Sequence, residues 1–103
     1  MNISSVEWLQ NWFQNECNGD WEHTFGIKIE TLDNPGWLVK IDLSETDYEN
    51  IVLDTGYFES NNEDWYHIKI EKSIFNGVGD LSKLEFLLNE FRSIIERYHP
   101  KLS

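Results

Sequence analysis

Apolar residues recur with two different periods along this chain, and the changes of period divide it into elements. Leu9, Trp12 and Phe13 fall at helical spacing, with Trp8 on the adjoining flank. Ser4-Ser5-Val6-Glu7 ahead of them fits a capping box, with a hydroxyl at the N-cap and a carboxylate three residues on. Asn18-Gly19 supplies a left-handed stop, so the pattern predicts a helix over residues 5–17. From Trp21 the period drops to two. Trp21, His23, Phe25, Ile27 and Ile29 alternate with Glu22, Thr24, Lys28 and Glu30, which predicts a half-buried strand with His23 on its apolar side and Glu22 on the other. Asn34-Pro35-Gly36-Trp37 reads as a type II turn, because Pro fixes φ and Gly accepts a positive φ after it. The chain then returns through Trp37, Val39, Ile41 and Leu43 to complete a hairpin.

The second half continues the alternation. Residues 44–50 form an acidic loop, and a third strand is expected over residues 51–59, with Gly56 marking a bulge. A second acidic turn covers residues 59–64. The fourth strand, residues 65–72, turns Tyr66, Ile68 and Ile70 one way and Trp65, His67, Lys69 and Glu71 the other. Phe75-Asn76-Gly77-Val78-Gly79 reads as a loop leading to a final helix capped by Asp80 or by Ser82 with Glu85. Leu81, Leu84, Leu87, Leu88, Phe91, Ile94, Ile95 and Tyr98 make its apolar stripe, and Pro100 ends it. The fold class that follows is α+β: a four-stranded antiparallel meander flanked by an N-terminal and a C-terminal helix packed on one face, the other face polar and open to solvent.

Composition narrows what such a fold does. At 103 residues the chain fits one domain, residues 1–103, with a single core. Its net charge of −11 repels nucleic acid and anionic membranes and attracts a basic partner. The acidity is uneven: residues 1–49 hold ten acids against two lysines, residues 50–103 nine acids against six bases. The single cysteine, Cys17, allows no internal disulfide, and Met1-Asn2-Ile3-Ser4-Ser5 has neither the basic nor the apolar region of a signal peptide, so a cytoplasmic protein is expected.

Little in the chain has the form of catalytic chemistry. Asp20, Glu22 and His23 are the densest candidates, but strand alternation sends Glu22 and His23 to opposite faces. Cys17, Asp20 and His23 match no familiar zinc spacing. Gly77-Val78-Gly79 before a helix lacks the rest of a dinucleotide-binding pattern. No catalytic, cofactor-binding or metal-ligating residue is therefore assigned, and no cofactor is expected. Two rivals to a binding protein remain: a small hydrolase or metal-dependent enzyme using Asp20, Glu22 and His23, and a homodimeric module pairing an open sheet edge. Trp65, exposed among acids, would suit a binding anchor.

The blocks Trp8-Leu9-Gln10-Asn11-Trp12-Phe13, Asn18-Gly19-Asp20-Trp21-Glu22-His23 and Thr31-Leu32-Asp33-Asn34-Pro35-Gly36-Trp37, with the later Phe75-Asn76-Gly77-Val78-Gly79-Asp80, resemble the immunity protein 53 family of bacterial polymorphic toxin systems. The resemblance implies a cytoplasmic antitoxin, not an enzyme, that binds a cognate toxin and occludes its active or substrate-binding surface. The charge suggests a basic toxin, a nuclease among the candidates. Contacts are expected from Glu22, Glu30, Asp42, Glu45, Asp47, Glu49, Glu63, Asp64 and Trp65, on a protein that is a monomer or weak homodimer and binds neither nucleic acid nor membrane.

Overall fold

A computed structural model of the chain describes residues 3–98. Helix α1 (Ser5–Glu16) starts where the capping pattern puts it, with Ser4 Oγ accepting the Glu7 N–H at 3.1 Å. A short helix, α2 (Trp21–Thr24), follows. Six strands come next: β1 (Ile27–Leu32), β2 (Gly36–Asp42), β3 (Leu53–Asp54), β4 (Phe58–Asn61), β5 (Asp64–Glu71) and β6 (Ile74–Gly79). Helix α3 (Leu84–Arg97) closes the described chain. Pro100, expected to end α3, lies outside the described residues.

The α+β class and the two flanking helices stand as expected; the strand count and order do not. The sheet is antiparallel and runs β1-β2-β6-β5-β3, with β4 also on β5, so β2 pairs with β6 rather than with the strand that follows it. The missing centre is the 75–79 segment, which the sequence suggests is a loop. Two glycines and an asparagine hide its alternation, yet each glycine answers a packing demand. A Cβ on Gly77 would stand 3.1 Å from Leu87 of α3, and one on Gly79 would stand 2.7 Å from Lys83. The helix can lie close to the sheet only because those positions have no side chain. The turn into β6 was equally hidden. Lys72 and Ser73 both take left-handed backbone, φ 54° and 65°, forming a two-residue hairpin without the usual Asn-Gly.

Four further expectations are corrected. Residues 21–24 are helical because local side chains capture the backbone: Asn18 Oδ1 accepts the N–H groups of Asp20 and Trp21, and Glu22 accepts those of Asn18 and Gly19. This curl buries Trp21 and leaves the His23 side chain 77% exposed, not on an apolar strand face. Gly36 does not take the positive φ of a type II turn; it opens β2, where a Cβ would collide with the Gly79 carbonyl oxygen. The 51–59 strand is split at Gly56, φ 76°, into β3 and β4. Leu81 and Tyr98, counted in the α3 stripe, are exposed.

Cross-strand register fixes the two faces. Ile27, Ile41, Phe75, Ile70 and Leu53 lie in one row, and Ile29, Val39, Gly77 and Ile68 in the next. Helix α3 covers these rows through Leu87, Leu88, Phe91, Ile94 and Ile95, all buried. Phe91 joins the layers, its ring 5.0 Å from Phe75 in the sheet and 5.1 Å from Trp12 in α1, while Trp12 meets Trp21 at 5.9 Å. Edge-to-face contacts of this kind each add roughly 0.5–1.5 kcal/mol beyond simple burial. The opposite face carries Lys28, Lys40, Asn76, Lys69 and Asp54 in one cross-strand row, flanked by Glu30, Leu38, Val78 and His67.

One buried charge ties the sheet to α3. Asp80 is 3% exposed and accepts hydrogen bonds from the Trp65 N–H of β5, the Ser82 N–H and hydroxyl, and Lys83 Nζ at 2.7 Å; Lys83 also reaches Asp64. Asp80 thus caps the turn before α3 rather than the helix itself, whose first residue follows Lys83. Burial alone would raise its carboxyl pKa, but the bonds from Lys83, Ser82 and Trp65 prevail and hold it far below the usual carboxylate range.

Two predictions follow from this packing. Gly36→Ala should lower unfolding stability by about 1–3 kcal/mol in urea titration, by forcing a methyl against backbone, whereas Gly26→Ala, with open space around it, should change it little. A depressed native pKa stabilises the fold above the unfolded value of 3.8 and is lost as pH falls below it, so Asp80→Asn should cost on the order of 3 kcal/mol near neutrality and should abolish that share of acid unfolding.

Candidate functional site

The expected contact residues do not gather on one surface. Glu63 and Asp64 sit at the end of the sheet where β2 begins, and Asp64 is ion-paired to Lys83 at 2.7 Å. Glu30 and Trp65 lie on the open sheet face; Trp65 is half-buried over Gly36 and stacks near Tyr57, ring centroids 6.2 Å apart. Glu22 sits in the turn between α1 and α2, where backbone N–H groups, its own first and then those of Asn18 and Gly19, hold its carboxyl below the ordinary range. Asp42, Glu45, Asp47 and Glu49 do come together, at the opposite end of the sheet from Glu63.

The segment carrying the last three of these acids, residues 43–50 after β2, is wired rather than loose. Thr46 is buried; its hydroxyl donates to the Leu43 carbonyl at 2.8 Å and accepts the Tyr48 N–H at 3.0 Å. Asp42 accepts the Ser44 N–H, the Trp21 indole donates to the Ser44 carbonyl, and Ser73 Oγ donates to the Glu49 carbonyl. Glu45 takes left-handed backbone, φ 60°, and donates its N–H to Glu49. The fixed turn buries Tyr48 and presents Asp47 outward.

Asp47 and Tyr48 form one wall of a cavity of about 480 Å³ between this turn and the two long helices. Helix α1 contributes Trp8, Asn11, Trp12, Asn15 and Glu16, and α3 contributes Ile95 and Glu96. Three carboxylates therefore meet three aromatic rings. Burial first, and the Asp47 carboxylate second, push the Glu16 pKa up. Burial, Asp47 and Glu16 do the same to the Tyr48 phenol. Across the mouth, Arg92 lies 3.4 Å from Glu96 and over the Trp8 ring at 5.9 Å. Trp12, in the wall, holds the one buried side-chain polar atom among the described residues that lacks a hydrogen-bond partner, its indole nitrogen. Glu96 is matched by Arg92, but Glu16 and Asp47 have no ion-pair partner among the described residues, and such carboxylates beside aromatic side chains suit an organic cation, an ammonium or a guanidinium.

Sequence reasoning reached Asp47 but missed Glu16, Tyr48 and Glu96. A signal existed: Trp8, Trp12 and Glu16 are spaced four apart and share a helix flank. What brings Glu96 and Asp47 to that flank is tertiary packing.

Asp20, Glu22 and His23 do not build a reactive centre. His23 Nε2 is 3.9 Å from Glu22 on an open surface, and the Glu22 carboxylate is occupied by backbone N–H groups. Among the described residues no group of three His, Cys, Asp or Glu side chains is placed to hold a metal ion.

The family model for immunity protein 53 matches residues 6–96, which takes in both long helices and the whole sheet. The chain belongs to the immunity protein 53 family. No curated protein and no solved structure matches it. An immunity protein of this family has an antitoxin role, in a class that is generally non-enzymatic, and its partner is a toxin. Among its described residues no helix is long and apolar enough to cross a membrane.

The raised Glu16 pKa sets the sign of one prediction. A carboxyl titrating higher in the folded state favours folding below its unfolded value near 4.5 and disfavours it once ionised. Glu16→Gln should therefore be at least as stable as the parent at pH 7, and the difference should vanish on acidification below that value, as followed by thermal unfolding across pH.

Proposed function

We propose that this chain, a single immunity domain acting in the cytoplasm, neutralises a cognate basic toxin by seating one of its cationic side chains in the cavity between α1, α3 and the 43–50 turn. The bulk of the domain then covers the toxin's working surface. The carrying observation is the pair Glu16 and Asp47, two carboxylates whose mutual repulsion a guanidinium or ammonium would relieve. Binding thus discharges a cost that the free protein carries, and Tyr48 and Trp12 in the cavity wall would place aromatic side chains beside the same cation. Glu45, Asp47 and Glu49 on the rigid turn would steer the encounter through their field, while the partly buried Glu16 would hold the complex together.

A nuclease fits this reading, because an enzyme that grips phosphate carries clustered Lys and Arg, and an acidic surface competes for them. Glu30, Asp42, Glu63, Asp64 and Trp65 stand farther from the cavity and would serve as outlying contacts. Glu22, held by its own turn, would contribute mainly charge.

The test is binding to the toxin encoded beside this chain, by stopped-flow and surface-immobilised kinetics. Asp47→Asn should slow association a few-fold and flatten its salt dependence. Glu16→Gln should leave association nearly unchanged and speed dissociation about tenfold or more. Kinetics unaltered by both substitutions would remove the cavity from the mechanism, and co-expression that rescues cells from no adjacent toxin would remove the reading as a whole.

A further inference from the structure

The two edges of the sheet differ in kind. On one side β3 and β4 are short and interrupted at Gly56. On the other, β1 is six continuous residues with no strand beyond it. Its register with β2 decides which backbone groups are spare. The Asp42 N–H donates to the Gly26 carbonyl, and antiparallel pairing alternates, so Lys28, Glu30 and Leu32 spend their backbone groups on β2. Ile27, Ile29 and Thr31 therefore point their N–H and C=O groups outward. Natural edges are blunted by proline, bulges or inward charges. This one carries the charged Lys28 and Glu30 on its polar face but no proline and no bulge, and Ile29 is 42% exposed beside a largely apolar groove lined by Val6, Leu9, Phe13, Phe25 and Ile27, with Gln10 and Glu22 also in its lining.

We propose that the chain pairs with a second copy of itself through this edge of β1, joining two sheets into one across a twofold axis at Ile29. The argument is charge and parity. Only the odd-numbered residues have free backbone groups, so a symmetric antiparallel pair must bring odd residues opposite odd. Centred on Ile29, the pairing sets Ile29 against Ile29, Ile27 against Thr31, and Lys28 against Glu30 twice. Shifting the axis to Lys28 puts lysine opposite lysine, and shifting it to Glu30 puts glutamate opposite glutamate; both are repulsive. Among the described residues neither Lys28 nor Glu30 has an ion-pair partner within its own chain. On the helix side, the two Ile29 side chains meet beside the apolar grooves of both copies. This surface is separate from the acidic cavity, so the proposal does not depend on what the cavity holds; Glu30, an outlying toxin contact above, is available to toxin only in the monomer.

Sedimentation velocity of the full chain over about 10 μM to 1 mM suits an interface of this small size. The parent should move from monomer toward dimer as concentration rises. Lys28→Glu and Glu30→Lys, each creating like charges across the axis, should both remain monomeric. The double variant K28E/E30K, which restores opposite charges with the signs exchanged, should dimerise again. All these positions are exposed, and circular dichroism confirms that each variant is folded. The proposal is overturned by a parent that stays monomeric throughout, as it would if the edge receives a strand only from the toxin. Single variants that dimerise like the parent, or a double variant that fails to recover, overturn it equally.

Discussion

The Asp80 carboxylate is the fixed point of this molecule. It is almost wholly buried, yet its oxygens collect a backbone N–H from β5, a backbone N–H and a hydroxyl from the turn before α3, and the Lys83 ammonium. A buried charge is tolerated only when its partners are close and numerous, and here they come from both sides of the junction between sheet and helix. The junction sets the line along which α3 crosses the sheet. That line in turn decides where Phe91 falls against Phe75, and where α1 and Trp21 can stack in their turn. The cavity proposed to receive toxin is bounded by α1, α3 and the 43–50 turn, so its width descends from the same junction.

Burial and charge pull against each other around that cavity. Glu16 is partly removed from water with Asp47 for company, an arrangement that a protein optimised only for stability would avoid. Some acids elsewhere are compensated by a near cation. Lys83 sits between Asp64 and Asp80, Lys69 beside Glu71, and His67 beside Asp54. The net charge of −11 says only that a basic partner would be welcome somewhere.

Both helices and the β1–β2 hairpin were legible because their apolar periods are strong, and α1 also has a conventional Ser4 cap. Val39, Ile41 and Leu43 went to the core as alternation required. The centre of the sheet was not legible. Strand β6 spells Ile-Phe-Asn-Gly-Val-Gly, and its glycines read as a loop when no helix is in view to explain them. The 21–24 turn misled in the opposite direction. Its alternating residues suit a strand, but the Asn18 and Glu22 side chains bind the backbone first, and Trp21 is buried as part of a helix. The grouping of the acids was not legible, since sequence distance gives no clue that Glu16, Asp47 and Glu96 line one cavity.

The pairing of β2 with β6 has a consequence for how the chain reaches this state. The middle of the sheet joins residues 37–42 to residues 74–79, so it closes only after the intervening strands have been made and folded back. High contact order of this kind slows folding, and the inner edge of the early β1–β2 hairpin waits uncovered in the meantime. Ten carboxylates in the first 49 residues put like charge on every copy of that hairpin, a repulsion that opposes pairing between copies before β6 fills the gap.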